Sequence, residues 1–554
     1  MFTTPLHAFL QGVKTHPEKI YLRQPIQGVY QNYTWQDTAR QARNMAFQLS
    51  QFGVQKGDRV ALWSKNCAEW IMADLAIMMA GAVCVPLYPG QSKDNVEFVL
   101  EHSGAKVIFV GKHDDDVPVE QSLPDSIPKI GFRYYTGKTQ HSWSVLAEHP
   151  APATFQINDP KPDDMMTIVY TSGTTGKPKG AVHTYRTFGF AAANMVEQHK
   201  LSDKDRMFSF LPLAHVAERV LVEGLSFYAR TTVAFAESLD TFADNLNTIK
   251  PTLFFAVPRL WAKFQEKIIA KVGEQKLNKL LSIPLVSSLI KKKIKKGLGL
   301  DQARIIGCGA SPMPKALLEW YDRVGIRIQE GYGMTENCCY GTVNMANDIR
   351  MGSVGKKLQN SEVKISEQGE ILMKSGALMT GYYKDPEKTA EAIVDGFYHT
   401  GDKGRIDENG FIFITGRVKE LFKTAKGKYI APAPLEGLLA AHPHIEQCCV
   451  MGSGKSQPVV VVELSETARA LDAAEVVAAV EAHLAHVNRQ LEHHEMIEQV
   501  LLTTTTWTVE GGLITPTLKI RREQVEELYL PMLEAQPGAV VCWDNVSRKE
   551  TVAA

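Results

Sequence analysis

Residues 58–88 read DRVALWSKNCAEWIMADLAIMMAGAVCVPLY. Two short β-prone runs, DRVALWS (58–64) and AVCVPLY (82–88), flank AEWIMADLAIMMAG (68–81), an apolar stretch of helical length that Gly81 terminates. Strand, helix and strand in that order make a crossover unit, and crossovers join parallel strands. A parallel sheet needs both faces covered, so helices lie on each side of it. Just upstream, TWQDTARQARNMAFQLSQF (34–52) repeats apolar residues at helical spacing, with Thr34 or Asp37 as its cap. The same rhythm returns from about residue 165 to 345, which predicts an α/β fold with two doubly wound sheets. From about 350 to 416 the texture changes to short alternating strands with Gly and Asp turns, GEILMKSG and GFYHTGDKGRIDENGFIFITG, a small β-barrel-like subdomain. After Gly416 the chain reads as a smaller α+β unit that includes the helix DAAEVVAAVEAHLAHVNRQLEHH (472–494). The expected boundary is Gly416–Arg417, giving a large N-terminal domain over 1–416 and a small C-terminal domain over 417–554.

Composition agrees with such a division. A chain of 554 residues exceeds what one hydrophobic core serves. Its 61 basic and 61 acidic residues leave no overall field for nucleic acid. Two of its eight cysteines form the doublet Cys338-Cys339 and two form Cys448-Cys449, with no C-x-x-C pair, so reduced thiols in a cytoplasmic protein are expected. The first residues, MFTTPLHAFLQGVKTHPEK, lack a basic segment leading into an apolar run, and no stretch is long and apolar enough to span a bilayer. One segment, LSIPLVSSLIKKKIKKGLG (281–299), places Leu285, Val286, Leu289, Ile290 and Ile294 at helical spacing with five lysines between 291 and 296. Two readings stand: a basic helix that lies on an anionic bilayer at the inner membrane face, or a solvated helix whose apolar stripe meets its own core, the latter slightly favoured.

The chemistry starts at YTSGTTGKPKGAV (170–182). Three glycines, several hydroxyls and lysines suit phosphate, yet the common phosphate loop needs four residues between its glycines and Ser or Thr after its lysine. Here two residues separate Gly173 from Gly176, and Pro178 follows Lys177, removing a donor and opposing a helix start. A flexible backbone with hydroxyls must do the holding. The apolar run MMTIVY (165–170) reads as a strand, so the loop leaves a strand's C-terminal end, where open α/β sheets bind ligands. Two more loops follow β runs. ARIIGCGASPMP (303–314) offers Gly307, Gly309, Ala310 and Ser311, small enough for a flat ring to approach the backbone. IRIQEGYGMTE (326–336) offers Tyr332, Thr335 and Glu336: an aromatic, a hydroxyl and a carboxylate able to stack a base, bond a phosphate and ligate a hard cation.

On these residues the chain resembles the adenylate-forming superfamily of acyl-CoA synthetases, adenylation domains and luciferases, over nearly its whole length. YTSGTTGKPKG matches that superfamily's phosphate loop, QEGYGMTE its adenine and magnesium motif, YHTGD (398–402) its ribose motif and GRVKELFK (416–423) its hinge. TPTLKIRR (515–522) is similar to the catalytic-lysine motif of long-chain acyl-CoA synthetases, departing from the wider Pro-x-x-Gly-Lys pattern by Leu518; LPLAHVAER (211–219) and AVPRLW (256–261) also look like that branch.

The resemblance implies two half-reactions: a fatty acid attacks ATP to give acyl-adenylate and pyrophosphate, then the thiol of coenzyme A displaces AMP. It assigns Thr171, Ser172, Gly173, Thr174, Thr175, Gly176 and Lys177 to the phosphates, and Gly309, Ala310, Ser311, Glu330, Gly331, Tyr332 and Gly333 to the adenine pocket, with Tyr332 stacked on the base. Glu336, with Thr175, ligates Mg²⁺, and Thr335 touches the α-phosphate. Asp402 accepts the ribose hydroxyls beside Arg417, and Lys519 bridges the substrate carboxylate and the α-phosphate. His215 sits near the acyl pocket and phosphates, or is a core histidine; Asp402 equally suits a turn cap. The C-terminal domain is mobile in this superfamily: Lys419 matches the hinge, Lys423 meets the site in the rotated state, and Gly427 lines the pantetheine tunnel. The rival readings are a ligase that loads a carrier protein, a ligase for medium-chain or aryl acids, a phosphotransferase releasing ADP or phosphate, and a non-catalytic nucleotide module. A homodimer and peripheral membrane contact are compatible with the chain.

Overall fold

The structure, a computed structural model, describes residues 3–114, 119–134, 137–171, 178–418, 420–509, 511–515 and 519–544. The crossover unit forms as read. Arg59–Trp63 pairs in parallel with Val83–Leu87, Ala61 opposite Val85, and helix Ala68–Met79 joins them. They belong to an eight-stranded sheet in the order Gly381–Tyr382, Lys179–Thr184, Met165–Thr171, Val83–Leu87, Arg59–Trp63, Val107–Val110, Lys129–Gly131 and His141–Ser142.

A nine-stranded sheet runs Lys356–Lys357, Thr342–Val343, Gln329–Tyr332, Ile305–Cys308, Leu253–Ala256, Arg206–Ser209, Thr232–Phe235, Ile20–Ile26 and Val29–Thr34. Its centre is parallel and both of its ends turn antiparallel. A tight turn accounts for one end: Gln27 (φ 51°) and Gly28 (φ 78°) are both left-handed, the turn whose twist suits a two-residue hairpin.

Helix Ala68–Met79 is buried on every side because it is apolar on every side. It packs on helix Trp35–Gln51 and touches strands of both large sheets, so the two sheets sandwich it. Helix Trp35–Gln51 uses both expected caps at once: Thr34 Oγ1 accepts from Asp37 N at 3.0 Å, and Asp37 Oδ2 accepts from Thr34 N at 3.1 Å.

The small β subdomain is an antiparallel sheet of Ser361–Ile365, Glu370–Ser375, Phe397–Ile406, Ile393–Val394 and Ile412–Arg417. Its ladder continues past Gly416: Arg417 pairs with Asp402, and Val418 N donates to Gly401 O at 2.7 Å. Arg417, read as the start of the second domain, is therefore the last residue of a strand. Beyond it, Ile445–Met451, Val459–Leu464, Gln499–Thr503 and Val541–Trp543 form a four-stranded sheet with helices Pro432–Leu439 and Ala473–Asn488 on one face and Arg522–Glu534 on the other. All eight cysteines are unpaired. Among the described residues no helix is long and apolar enough to cross a membrane.

Helix Pro284–Gly297 matches the favoured reading of the lysine-rich segment only in part. Ile290 and Ile294 do pack on a core cluster, but Leu285 and Leu289 are 85% and 68% exposed.

Candidate active site

Two paired strands flank the proposed phosphate loop. Strands Met165–Thr171 and Lys179–Thr184 pair antiparallel with Thr171 opposite Lys179, and the Thr171 hydroxyl donates to Lys179 O at 3.4 Å. Ser172, Gly173, Thr174, Thr175, Gly176 and Lys177 lie outside the described residues. Lys179 Nζ stands 5.4 Å from the centre of the Tyr382 ring, and the Tyr382 phenol donates to Glu336 Oε1 at 2.8 Å. Tyr382 thereby links Glu336 to Lys179 at the strand end next to the loop.

Thr335 and Glu336 sit in a single 3-10 turn, Thr335–Asn337, held by Asn337 Oδ1 accepting from Met334 N at 3.0 Å. The buried Thr335 carbonyl accepts from His183 Nε2 at 2.7 Å. A carbonyl accepts only, so His183 carries its proton on Nε2; burial pushes its pKa down to about 4, so the ring is neutral at neutral pH. Cys338 and Cys339 follow with φ of 52° and 54°, two successive side-chain-bearing residues in the left-handed region, each costing about 1–3 kcal/mol. Gly333 must be glycine, because a Cβ there would lie 2.6 Å from the Cys339 backbone.

The neighbouring strand ends are equally close. A Cβ on Gly309 would stand 2.8 Å from Gly331 O, so the bare backbone lets these two loops approach. Ala310 is left-handed at φ 70°, and both Ala310 and Ser311 are exposed. Glu330 is buried, which raises its carboxyl pKa to about 7 against the Met313 backbone hydrogen bond that lowers it. Tyr332 extends from the same strand and donates its phenol proton to Asp402 Oδ2. Arg417 Nε meets the other carboxylate oxygen at 2.9 Å.

Lys519 arrives from the C-terminal domain. Its loop is cinched by Thr515 N to Lys519 O at 2.8 Å, Lys519 N to Thr515 Oγ1 at 3.1 Å and Arg521 N to Leu513 O at 2.8 Å. Pro516, Thr517 and Leu518 lie outside the described residues. Lys519 is exposed on this loop. Loss of bulk water and the Arg417 charge lower its pKa, against Asp402, Glu336 and Cys339, which raise it. His215 lies in the same field: burial first and Lys519 second bring its pKa to about 4. His215 Nδ1 accepts from Ala217 N at 3.1 Å, so its proton is on Nε2. Tyr332, Asp402 and Arg417 are thus in direct contact, and Lys519 feels the charges of Arg417, Asp402 and Glu336 and acts in turn on His215. Lys423 and Gly427 are on an exposed hairpin, Phe422–Lys423 with Tyr429–Ile430, where Lys423 Nζ is 5.6 Å from the Tyr429 ring centre. Lys419 lies outside the described residues.

Three further side chains buttress these segments. Arg219, fully buried in a π-helical turn over Arg219–Gly224, contacts both Asp74 oxygens at 2.6 Å, Thr167 Oγ1 at 2.6 Å and Glu223 Oε2 at 3.2 Å. It ties the segment carrying His215 to the strand that feeds the phosphate loop. Glu218 Oε1 accepts from Ser209 Oγ at 2.8 Å, Phe210 N at 3.0 Å and Asn66 Nδ2 at 3.4 Å; burial raises its pKa to about 8. Asn66 also accepts from Leu213 N at 2.9 Å, pinning the approach to His215. Two acids and an arginine within the apolar run VAERVLVEG were the available signal for Glu218, Arg219 and Glu223. Asn66 carried none.

Residues 9–383 match the AMP-binding enzyme family, and residues 419–536 match the AMP-binding enzyme C-terminal domain. Long-chain-fatty-acid–CoA ligase FadD15 of Mycobacterium bovis is 31% identical, covering 94% of this chain and 94% of that protein. Peroxisomal long chain acyl-CoA synthetase 6 of Arabidopsis thaliana is 32% identical over 91% of this chain and 82% of its own length. Among solved structures, the adenylation domain of a carboxylate reductase from Mycobacterium chelonae aligns with TM-score 0.80 at 21% identity, covering 96% of this chain and 91% of that one. O-succinylbenzoate coenzyme A synthetase from Bacillus subtilis, in complex with AMP, aligns with TM-score 0.74 at 23% identity, covering 94% and 98%. Those two likenesses speak for the fold, and the family match for descent: the chain belongs to the AMP-binding enzyme family.

Proposed function

We propose that the protein is a long-chain fatty acid–CoA ligase. The fatty acid carboxylate attacks the α-phosphorus of ATP, the bond to pyrophosphate breaks, and the acyl-adenylate forms. The sulfur of coenzyme A then attacks the acyl carbon, giving up its thiol proton, and AMP leaves. The observation that carries this reading is that Lys519, from the C-terminal domain, lies within electrostatic reach of Glu336 and Asp402 on the N-terminal domain. The names of the full-length relatives support the acyl class.

Each residue has a role its contacts permit. An ionised carboxylate offers about four lone-pair sites, and Tyr332 and Arg417 use one on each Asp402 oxygen. Two remain for the hydroxyls of a ribose diol. Lys519 presents a point charge to the negative charge that grows on the α-phosphoryl group, and approaching phosphates raise its pKa, so it holds its proton when needed. His215, neutral with Nε2–H, donates one hydrogen bond without adding charge. His183 fixes the Thr335 carbonyl, and with it the turn that carries both Thr335 and Glu336.

Glu336 is the described residue that fits Mg²⁺. Among the described residues no group of three or more His, Cys, Asp or Glu is assembled for a metal. One carboxylate plus substrate phosphates is the manner in which this hard cation is held, and it would supply charge neutralisation there. Thr175 belongs to the same proposed ligand set.

CoA-dependent AMP release measured over carboxylic acids from acetate to oleate, with aryl acids alongside, tests the reading. A maximum at long chains is expected. Release of ADP would sink the ligase chemistry, and activity only with a carrier protein would replace coenzyme A as acceptor.

A further inference from the structure

Helix Pro284–Gly297 presents a face that its own fold does not use. Leu285, Leu289, Lys292, Lys293 and Lys296 recur at spacings of four, three, one and three residues, which places them on one side of the helix. Leu285 is 85% exposed and Leu289 68%; all three lysines are exposed. The other side anchors the helix: Ser287 is buried, Ile290 and Ile294 pack on the core, and the Lys291 stem covers Gly325. Ile283, 45% exposed, extends the apolar end, and the preceding helix Glu274–Leu281 adds exposed Lys276 and Lys279. Ion pairs nearby, Lys250–Asp301, Lys315–Glu319 and Arg327–Asp322, engage other side chains, and among the described residues none of these lysines is paired with a carboxylate.

We propose that this face docks on an anionic lipid bilayer, with Leu285 and Leu289 entering the headgroup region and the lysines meeting the lipid phosphates. Two aliphatic side chains beside a cluster of uncompensated positive charge match an interfacial helix, whose binding adds apolar burial to electrostatic attraction. A second copy of the chain is a poorer occupant. A two-fold contact would set the same lysines against each other. The total charge is zero, so the attraction is a property of this patch and not of the whole molecule.

Flotation of the full chain with vesicles tests the proposal, comparing phosphatidylcholine alone with phosphatidylcholine containing roughly a third phosphatidylglycerol. The wild-type protein is expected to float with the anionic vesicles and to detach at high salt. Leu285→Ser with Leu289→Ser should cut partitioning about tenfold, and Lys292→Glu, Lys293→Glu and Lys296→Glu together should abolish the preference for anionic lipid. Both variants change exposed side chains, so melting temperature and AMP release with a water-soluble acid serve as controls and should stay unchanged. Equal partitioning on the two vesicle types, or variants that float like wild type, would overturn the proposal. So would light scattering that finds a dimer lost in the variants without any vesicle binding, and so would an acidic protein as the sole ligand. None of these readouts depends on which acid the enzyme activates.

Discussion

Asp402 and Arg417 are register partners across the antiparallel strands Phe397–Ile406 and Ile412–Arg417, and Arg417 Nε lies 2.9 Å from Asp402 Oδ1. The Tyr332 phenol takes the opposite oxygen. Three segments of the N-terminal domain thus converge on one carboxylate. Asp402→Ala should raise KM for ATP by at least about tenfold, since it removes the acceptor and leaves a half-buried guanidinium unpaired. Tyr332→Phe should cost less, about 1.5–3 kcal/mol at most for one bond to a charged group. Pyrophosphate exchange at varied ATP measures both; an unchanged KM in Asp402→Ala would remove that residue from the nucleotide site.

Lys519→Ala should slow acyl-adenylate formation about a hundredfold or more, while thioester formation from supplied acyl-adenylate stays within a few fold. Equal loss of both steps would show that the lysine serves more than the first half-reaction. The pH dependence follows from its environment. Its pKa is below that of a free lysine because burial and Arg417 disfavour the charge. The alkaline limb of kcat/KM, which reports the free enzyme, should therefore begin at lower pH than for an ordinary lysine. The limb of kcat should sit higher, because bound phosphates favour the ammonium.

Arg259 of helix Pro258–Val272 reaches Glu446 of the C-terminal domain at 2.7 Å, and Glu266 on the same helix is held up in pKa first by burial and then by Glu446. Arg259→Glu should slow adenylation roughly fivefold, the scale of one partly exposed ion pair. Adding Glu446→Arg should restore much of the rate. Failure of the double variant to recover would mean that the pair does not hold the domains in register.

Arg219 lies between Asp74 and Glu223 with no exposed surface. Arg219→Met should destabilise the protein by about 3–5 kcal/mol, because it strands Asp74 without a partner. Pairing it with Asp74→Asn should recover part of that loss. Denaturant unfolding of the single and double variants decides whether the charge or the packing is what matters.

Glu218 has a folded-state pKa of about 8, raised by burial. A raised carboxyl stabilises fully below its unfolded pKa and loses that contribution as pH rises towards 8, by about 5 kcal/mol at most. Glu218→Gln keeps the Oε1 acceptor without titrating. The melting temperature of the variant relative to wild type should therefore increase from pH 5 to pH 8 and level off above it. A difference independent of pH would place an ionised carboxylate in the folded state.

Much of the site was legible because its signals are local. Gly309 announced a backbone that a flat group can approach, and in the structure the Gly331 carbonyl stands against it. Thr34 and Asp37 announced a cap, and both serve. Arg219 and Asn66 were not legible, because their meaning rests on partners far along the chain: Asp74 is 145 positions from Arg219, and Leu213 is 147 from Asn66. The lysine-rich helix was half legible. Its period announced a helix, but five aliphatic residues at helical spacing do not say which of them find a core.

By itself the sequence determined the strands and helices, the glycine-bearing turns between them and the chemical character of each loop, because dihedral preference and hydrophobic period act over a few residues. The tertiary structure alone decided that Lys519 lies in the field of Asp402 and Glu336, that Arg219 is the buried tie behind His215, and that Leu285 and Leu289 face outward. Those outcomes depend on which surfaces exclude water together, and that is a property of the packed chain as a whole.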